Sequence, residues 1–197
     1  MTQNKIRVIG VTGITGSGTS TVADIISEHG GSVISADILA HDAINKGQEA
    51  HTKIVQKFGD GVLNTNGEIN RKALGLLVFG EENEKDRAWL ESIIHPVVLA
   101  TIKELVKNCE SPFVVIDAPL LIESGLNKEC DEVWLVTATD EVRISRIMER
   151  DGVDRHAAQK RLSSRQDEKN IKNHIDVVIS NNGSIEDLRK QVAAKLF

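Results

Sequence analysis

One stretch near the N-terminus constrains this chain more than any other. Residues Arg7–Thr12 (RVIGVT) are mostly apolar and β-branched, the composition of a buried strand. Gly-Ile-Thr-Gly-Ser-Gly-Thr-Ser follows at 13–20. After it, Val22, Ile25 and Ile26 fall at i, i+3 and i+4, the spacing of an amphipathic helix. The order is strand, glycine loop, helix. Gly13, Gly16 and Gly18 allow a tight backbone turn with inward N–H groups. Those donors and the positive end of the helix dipole together cradle phosphate oxygens. Ile14, Thr15, Ser17 and Thr21 complete the wrapping chain, and the Ser20 hydroxyl is a candidate Mg²⁺ ligand.

The usual pattern is Gly, four residues, Gly, Lys, then Ser or Thr. Gly13, Gly18 and Ser20 satisfy it, but Thr19 stands at the lysine position. One unit charge at about 4 Å is worth roughly 4 kcal/mol at an effective dielectric near 20. Lost without compensation, that is on the order of a hundred- to a thousandfold in rate.

The remainder reads as strands alternating with helices. Strand-like runs lie at Val33–Ser35, Phe113–Ile116, Val133–Val136 and Val177–Ile179. Helical patterns cover 139–150 and 184–196; in the second, Ile185, Leu188, Val192 and Leu196 form one stripe. Ser184 with Asp187 forms a capping box with a shortened acid. Five strands so connected imply an α/β fold with a parallel sheet covered by helices on both faces. Residues 38–108 carry no convincing strand and form a helical insertion, with a turn at Asn66-Gly67 and a helix kinked or begun by Pro96.

In such sheets ligands bind beyond the carboxyl ends of the strands. Asp37 follows the second strand and Asp117 ends the third, so both belong at that end. Asp37 is assigned to orient or deprotonate an attacking hydroxyl, and Asp117 to hold Mg²⁺ directly or through water. Between Arg143 and Lys172 there are nine Lys/Arg against five Asp/Glu, in a chain of net charge −5. A positive segment on an acidic protein suits a phosphate-rich ligand, and arginine forks bind two phosphate oxygens at once. Arg146, Arg150 and Arg161 are the first candidates to replace the missing lysine charge, on a lid that closes over ATP.

Composition narrows the alternatives. Aromatic residues make up 3% of the chain and tyrosine is absent, which argues against a base-stacking nucleic-acid surface. No apolar run reaches eighteen residues, and the first residues lack the apolar core of a signal peptide. Cys109 and Cys130 show no metal-ligand spacing and read as reduced thiols of a cytoplasmic protein.

The chain resembles the dephospho-coenzyme A kinases nearly end to end. The resemblance rests on TGITGSGTST, ISADILAHD, FGDGVLNTNGEINRKALGLLVF, LESIIHPVV, VVIDAPLLIESGL, RIMERDG and DVVISNNGS. It implies a P-loop kinase with a nucleotide core (1–37, 109–142 and 174–197), a helical substrate region (38–108) and a lid (143–173). It further implies transfer of a phosphoryl group from ATP, with Mg²⁺, to the ribose 3′-hydroxyl of dephospho-coenzyme A. Asp37 matches the family's proposed base. Arg71, His95 and the Pro119-Leu120-Leu121 run match its acceptor side. A monomer or small homo-oligomer is expected. Three departures are Thr19, Ser35 in place of a frequent Asp, and one extra residue at Arg165-Gln166. Thr19 also admits a silent nucleotide- or coenzyme-binding paralogue, and a kinase of another small hydroxyl acceptor is a third reading.

Overall fold

The computed structural model describes residues 6–163 and 172–197. Among them, five strands form one sheet: β1 (Arg7–Gly13), β2 (Ser32–Ser35), β3 (Phe113–Asp117), β4 (Glu132–Thr137) and β5 (Val177–Ser180). Their order is β2-β3-β1-β4-β5, and every neighbouring pair is parallel. The parallel α/β sheet read from the sequence is therefore borne out. The helices are α1 (Thr19–Glu28), α2 (Ala36–Ala43), α3 (Glu49–Phe58), α4 (Arg71–Val78), α5 (Glu84–Lys107), α6 (Asp140–Asp151), α7 (Arg155–Ser163) and α8 (Ile185–Leu196).

The chain divides into two compact units. One contains the sheet and spans the residues up to Ser35 together with Val106–Phe197; the other is Ala36–Leu105. In the first unit, strand pleating sends Ile9 and Val11 to one sheet face, where they meet Val22, Ile25 and Ile26 of α1, Trp134 and Val136 of β4, and Leu188, Val192 and Leu196 of α8. Each such fully buried aliphatic side chain contributes about 1.5–3 kcal/mol. Gly10 lies on the opposite face. A β-carbon there would come within 2.6 Å of Leu121 and 2.7 Å of Cys130, so glycine lets the segment after β3 cross close to β1. Arg7 ties the last helix to the sheet. Its guanidinium donates two hydrogen bonds to Glu132 and two more to the carbonyls of Lys195 and Leu196 at the end of α8. Helices α6 and α7 pack through Ile144, Ile147 and Ala158.

The second unit has its own core of Ile44, Ile54, Val62, Ile69, Leu74 and Val78, flanked by Phe58 and Trp89. It is helical, as its sequence predicts, apart from one isolated bridge, Leu63 to Ile69, around the Asn66-Gly67 turn. Of the two alternatives for Pro96, kinking a helix or beginning one, the second is excluded: the residue lies inside α5. The ring removes one backbone donor and clashes with the turn before it, but α5 carries on past this position for another eleven residues to Lys107. Ile185 leaves the buried stripe of α8: it is 53% exposed, while Leu188, Val192 and Leu196 are buried. The first helical residue lies ahead of the face that meets the sheet, and its task passes to the Ser184–Asp187 capping box, which forms with both reciprocal bonds.

Candidate active site

The loop at 13–20 leaves the central strand and feeds directly into α1. Gly18 caps that helix at φ 93°, a conformation open to glycine at little cost, and as glycine it supplies no side-chain cap. Neither Ser20 nor Thr21 is spent as a helix cap. The Ser17 amide donates to the Ile14 carbonyl at 3.0 Å and closes the turn. Ser17 is buried, and its hydroxyl oxygen has no hydrogen-bond partner among the described residues. Thr19 is half-buried, with its methyl group beside Gly13. The residues named for phosphate binding, Gly13, Ile14, Thr15, Gly16, Ser17, Gly18, Thr19, Ser20 and Thr21, thus form one continuous strand-to-helix turn.

Ser20 and Asp117, read separately from the sequence, meet in space. The Ser20 hydroxyl donates to Asp117 Oδ2 at 3.1 Å, across 97 residues of chain. Sheet register causes this. Asp117 is aligned with Val11 on β1 and with Ser35 on β2, so it ends β3 just as β1 enters the loop. A hydroxyl and a carboxylate are the hard oxygen donors Mg²⁺ takes, and this ion commonly uses one or two protein oxygens and fills its shell from phosphates and water. The pair fits that ion. No cluster of three or more His, Cys, Asp or Glu that could hold a metal exists among the described residues. Downstream, the Thr12 hydroxyl donates to the Pro119 carbonyl and the Ala118 amide to the Val11 carbonyl, which fixes the Pro119-Leu120-Leu121 turn beside β1.

In the basic segment Arg146 faces the loop through its carbonyls: Nη1 donates to Gly16 O at 3.4 Å and Ser17 O at 3.2 Å. Its Nη2 donates to the backbone and side-chain oxygens of Asn181, both at 3.1 Å. Arg143 is buried and donates from Nε to Thr15 O at 3.0 Å and from Nη1 to Asp140 at 2.9 Å. Arg150 and Arg161 converge on Asp151. The hydrogen bonds of Arg150, with the charge of Arg161, hold the Asp151 carboxyl below its ordinary range. That same bonding raises Arg150. The Arg165-Gln166 departure lies outside the described residues.

Asp37, Arg71 and His95 belong to the second unit. Asp37 is an exposed residue in the first turn of α2, two positions past the carboxyl end of β2. Arg71 is exposed at the start of α4, where the Asn70 side chain caps the helix by accepting from the Ala73 amide. His95 is exposed in mid-helix, next to Pro96 on α5.

Two residues with evident roles at the loop escape the sequence reading. Arg143 is visible there only as one more charge in a basic segment. Asn181 is 5% exposed and donates its amide to Ser17 O at 2.8 Å across 164 residues. The available signal was two asparagines and a glycine directly after an apolar strand.

A phosphate loop leaving the central strand of a parallel sheet in this order, beside a hydroxyl–carboxylate pair, is the frame of the P-loop kinases, and this chain is of that class. Comparison with known proteins narrows the class. The family model for dephospho-CoA kinase matches residues 7–187. The dephospho-CoA kinase of Fusobacterium nucleatum is 41% identical over 188 residues, covering 95% of each chain. A solved dephospho-CoA kinase from Campylobacter jejuni superposes with a TM-score of 0.68 at 31% identity, over 96% of this chain and 94% of that one. The crystal structure of TT1252 from Thermus thermophilus superposes with a TM-score of 0.83 at 32% identity, over 98% and 97%. The chain belongs to the dephospho-CoA kinase family.

Proposed function

We propose that this protein catalyses the last step of coenzyme A synthesis, transferring the γ-phosphoryl group of ATP to the ribose 3′-hydroxyl of dephospho-coenzyme A to give coenzyme A and ADP. The observation that carries the reading is the Ser20–Asp117 pair at the mouth of the loop, supported by membership of the family. Loop amides of residues 13–20 hold the ATP phosphates. Ser20 and Asp117 hold Mg²⁺, which neutralises phosphate charge when bound. Asp37 accepts the proton of the 3′-hydroxyl as its oxygen attacks phosphorus, and the bond to ADP breaks. Arg71, His95, Pro119 and Leu120 serve the acceptor. Arg146, Arg150 and Arg161 act on the phosphate side, within the proposed division into core, helical region and lid. Among the described residues no helix is long and apolar enough to cross a membrane, in keeping with a cytoplasmic role.

A coupled ADP-release assay with dephospho-coenzyme A tests the proposal; folded protein with no turnover above background sinks it. Thr19 favours a second reading, a nucleotide- or coenzyme-binding paralogue without catalysis. It gains if only Thr19→Lys turns over, and fails if the natural protein does. A panel of nucleosides, nucleotides and pantetheine derivatives separates both from a kinase of another hydroxyl acceptor.

A further inference from the structure

The loop is gripped from its carbonyl side by three side chains that come from beyond β4. Arg143 holds Thr15 O, Arg146 holds Gly16 O and Ser17 O, and Asn181 adds a second donor to Ser17 O. Asn181 is itself fixed. Its backbone amide donates to Thr137 O at 2.8 Å and so continues the β4–β5 ladder, while its side-chain oxygen accepts from Arg146. A β-carbon on Gly18 would collide with the Asn181 amide nitrogen, so the fit leaves no slack.

Peptide planarity gives this grip a consequence. In a trans peptide the C=O of one residue points opposite to the N–H of the next. The described chain has no cis peptide bonds. Holding the carbonyls of Thr15 and Ser17 therefore aims the amides of Gly16 and Gly18 to the other side of the loop. Cations bonded to the carbonyl ends also polarise those peptides and strengthen their N–H groups as donors, because bonded dipoles reinforce one another in a poorly solvated site.

We propose that Asn181, with Arg146 and Arg143, is the positioning device of the phosphate loop, and that this brace delivers through the peptide dipoles the positive potential that Thr19 lacks. It deepens the kinase reading and rests on it. Asn181 is a positioning residue: it acts on ATP through the loop. Both terminal nitrogens of Arg146 are engaged with carbonyl and amide oxygens, so its charge also reaches phosphate through the backbone.

The test measures ATP·Mg²⁺ affinity by calorimetry and, separately, steady-state kinetics. Asn181→Ala is expected to weaken ATP binding about tenfold or more, through the loss of its two side-chain hydrogen bonds, the one donated to Ser17 O and the charge-assisted one accepted from Arg146. The KM for dephospho-coenzyme A stays unchanged. Asn181→Asp keeps the size but sets a carboxylate oxygen against Ser17 O, and loses at least as much. Arg146→Ala weakens ATP more than tenfold in the natural protein and less than threefold once Thr19→Lys is present. That non-additivity is a signature a merely structural contact does not produce. Unchanged ATP affinity in folded Asn181→Ala and Asn181→Asp overturns the brace. Equal effects of Arg146→Ala in both backgrounds overturn its link to Thr19. A protein that binds ATP without turning over refutes the kinase reading alone, since the binding measurements still decide the brace; one that binds no ATP refutes both.

Discussion

Thr19→Lys is the most informative single change. Thr19 is the first residue of α1, immediately after the helix cap at Gly18, so a lysine there rises from the floor of the loop. An ammonium about 4 Å from a phosphate oxygen contributes roughly 4 kcal/mol at an effective dielectric near 20 and about 1 kcal/mol in bulk water. Two observations set where in that range the gain falls. Thr19 is only half-buried, so solvent screens part of the interaction. Arg143 and Arg146 already place positive charge behind the same peptides, and a new cation meets their repulsion. The expected gain is therefore about 1.5–2.5 kcal/mol, or roughly tenfold to seventyfold in kcat/KM for ATP. Stability should change little, because the longer side chain extends from a partly exposed helix start. The assay is ADP release at saturating dephospho-coenzyme A with ATP varied, alongside thermal unfolding. A folded Thr19→Lys protein with kcat/KM for ATP equal to or below that of the natural chain would falsify the premise that position 19 leaves a charge deficit at the phosphates.

Three further outcomes are expected. Ser20→Ala and Asp117→Asn should each raise the Mg²⁺ concentration needed for half-maximal turnover by about tenfold or more, read from a metal titration at fixed ATP; an unshifted curve removes both from the metal site. The two cysteines should differ in alkylation rate. Burial pushes the Cys130 thiol up to about 12, so it stays protonated and slow at pH 8. At Cys109 burial is outweighed by the hydrogen bonds the thiol makes, to the Ser32 hydroxyl and from the Ser111 amide, which bring it below its usual value, so mass spectrometry should find it modified first. Finally, hydrogen bonds from Arg7, against the opposing effect of burial, and one from Trp134 hold the Glu132 carboxyl below its ordinary range. A depressed folded value means the contribution is present above the unfolded pKa, near 4.3, and is lost as pH falls through the lower folded value. Glu132→Gln should lower Tm at pH 7 and narrow the gap to the natural protein below about pH 4; a gap constant with pH refutes the linkage.

Local patterns carried a large part of the fold. β1, the loop and α1 are legible because strand apolarity, glycine spacing and helical periodicity act within a few residues of one another. The Ser184–Asp187 box is equally local and formed as its residues imply. Asp117 was legible because a carboxylate at a strand's carboxyl end points to where ligands bind in parallel sheets. Pro96 leaves two alternatives open in the sequence, a kink or a helix start, because a single proline is compatible with both; only the folded chain places it inside α5. The arginines were the least legible. Charge spacing shows that a segment is basic, but not which guanidinium turns inward: Arg143 is buried against the loop while Arg150 lies exposed on Asp151.

The sequence by itself determined the class of site and the family, because a phosphate loop is a contiguous motif whose chemistry resides in consecutive backbone amides. Tertiary structure alone decided what stands behind that loop. Asn181 reaches Ser17 across 164 residues, and Arg143 reaches Thr15 across 128. Contacts of that span arise when β4 joins the sheet beside β1, β5 pairs with β4, and the residues that follow the two strands are carried to the loop. Sheet order and register set them, and these emerge only when the whole chain is folded.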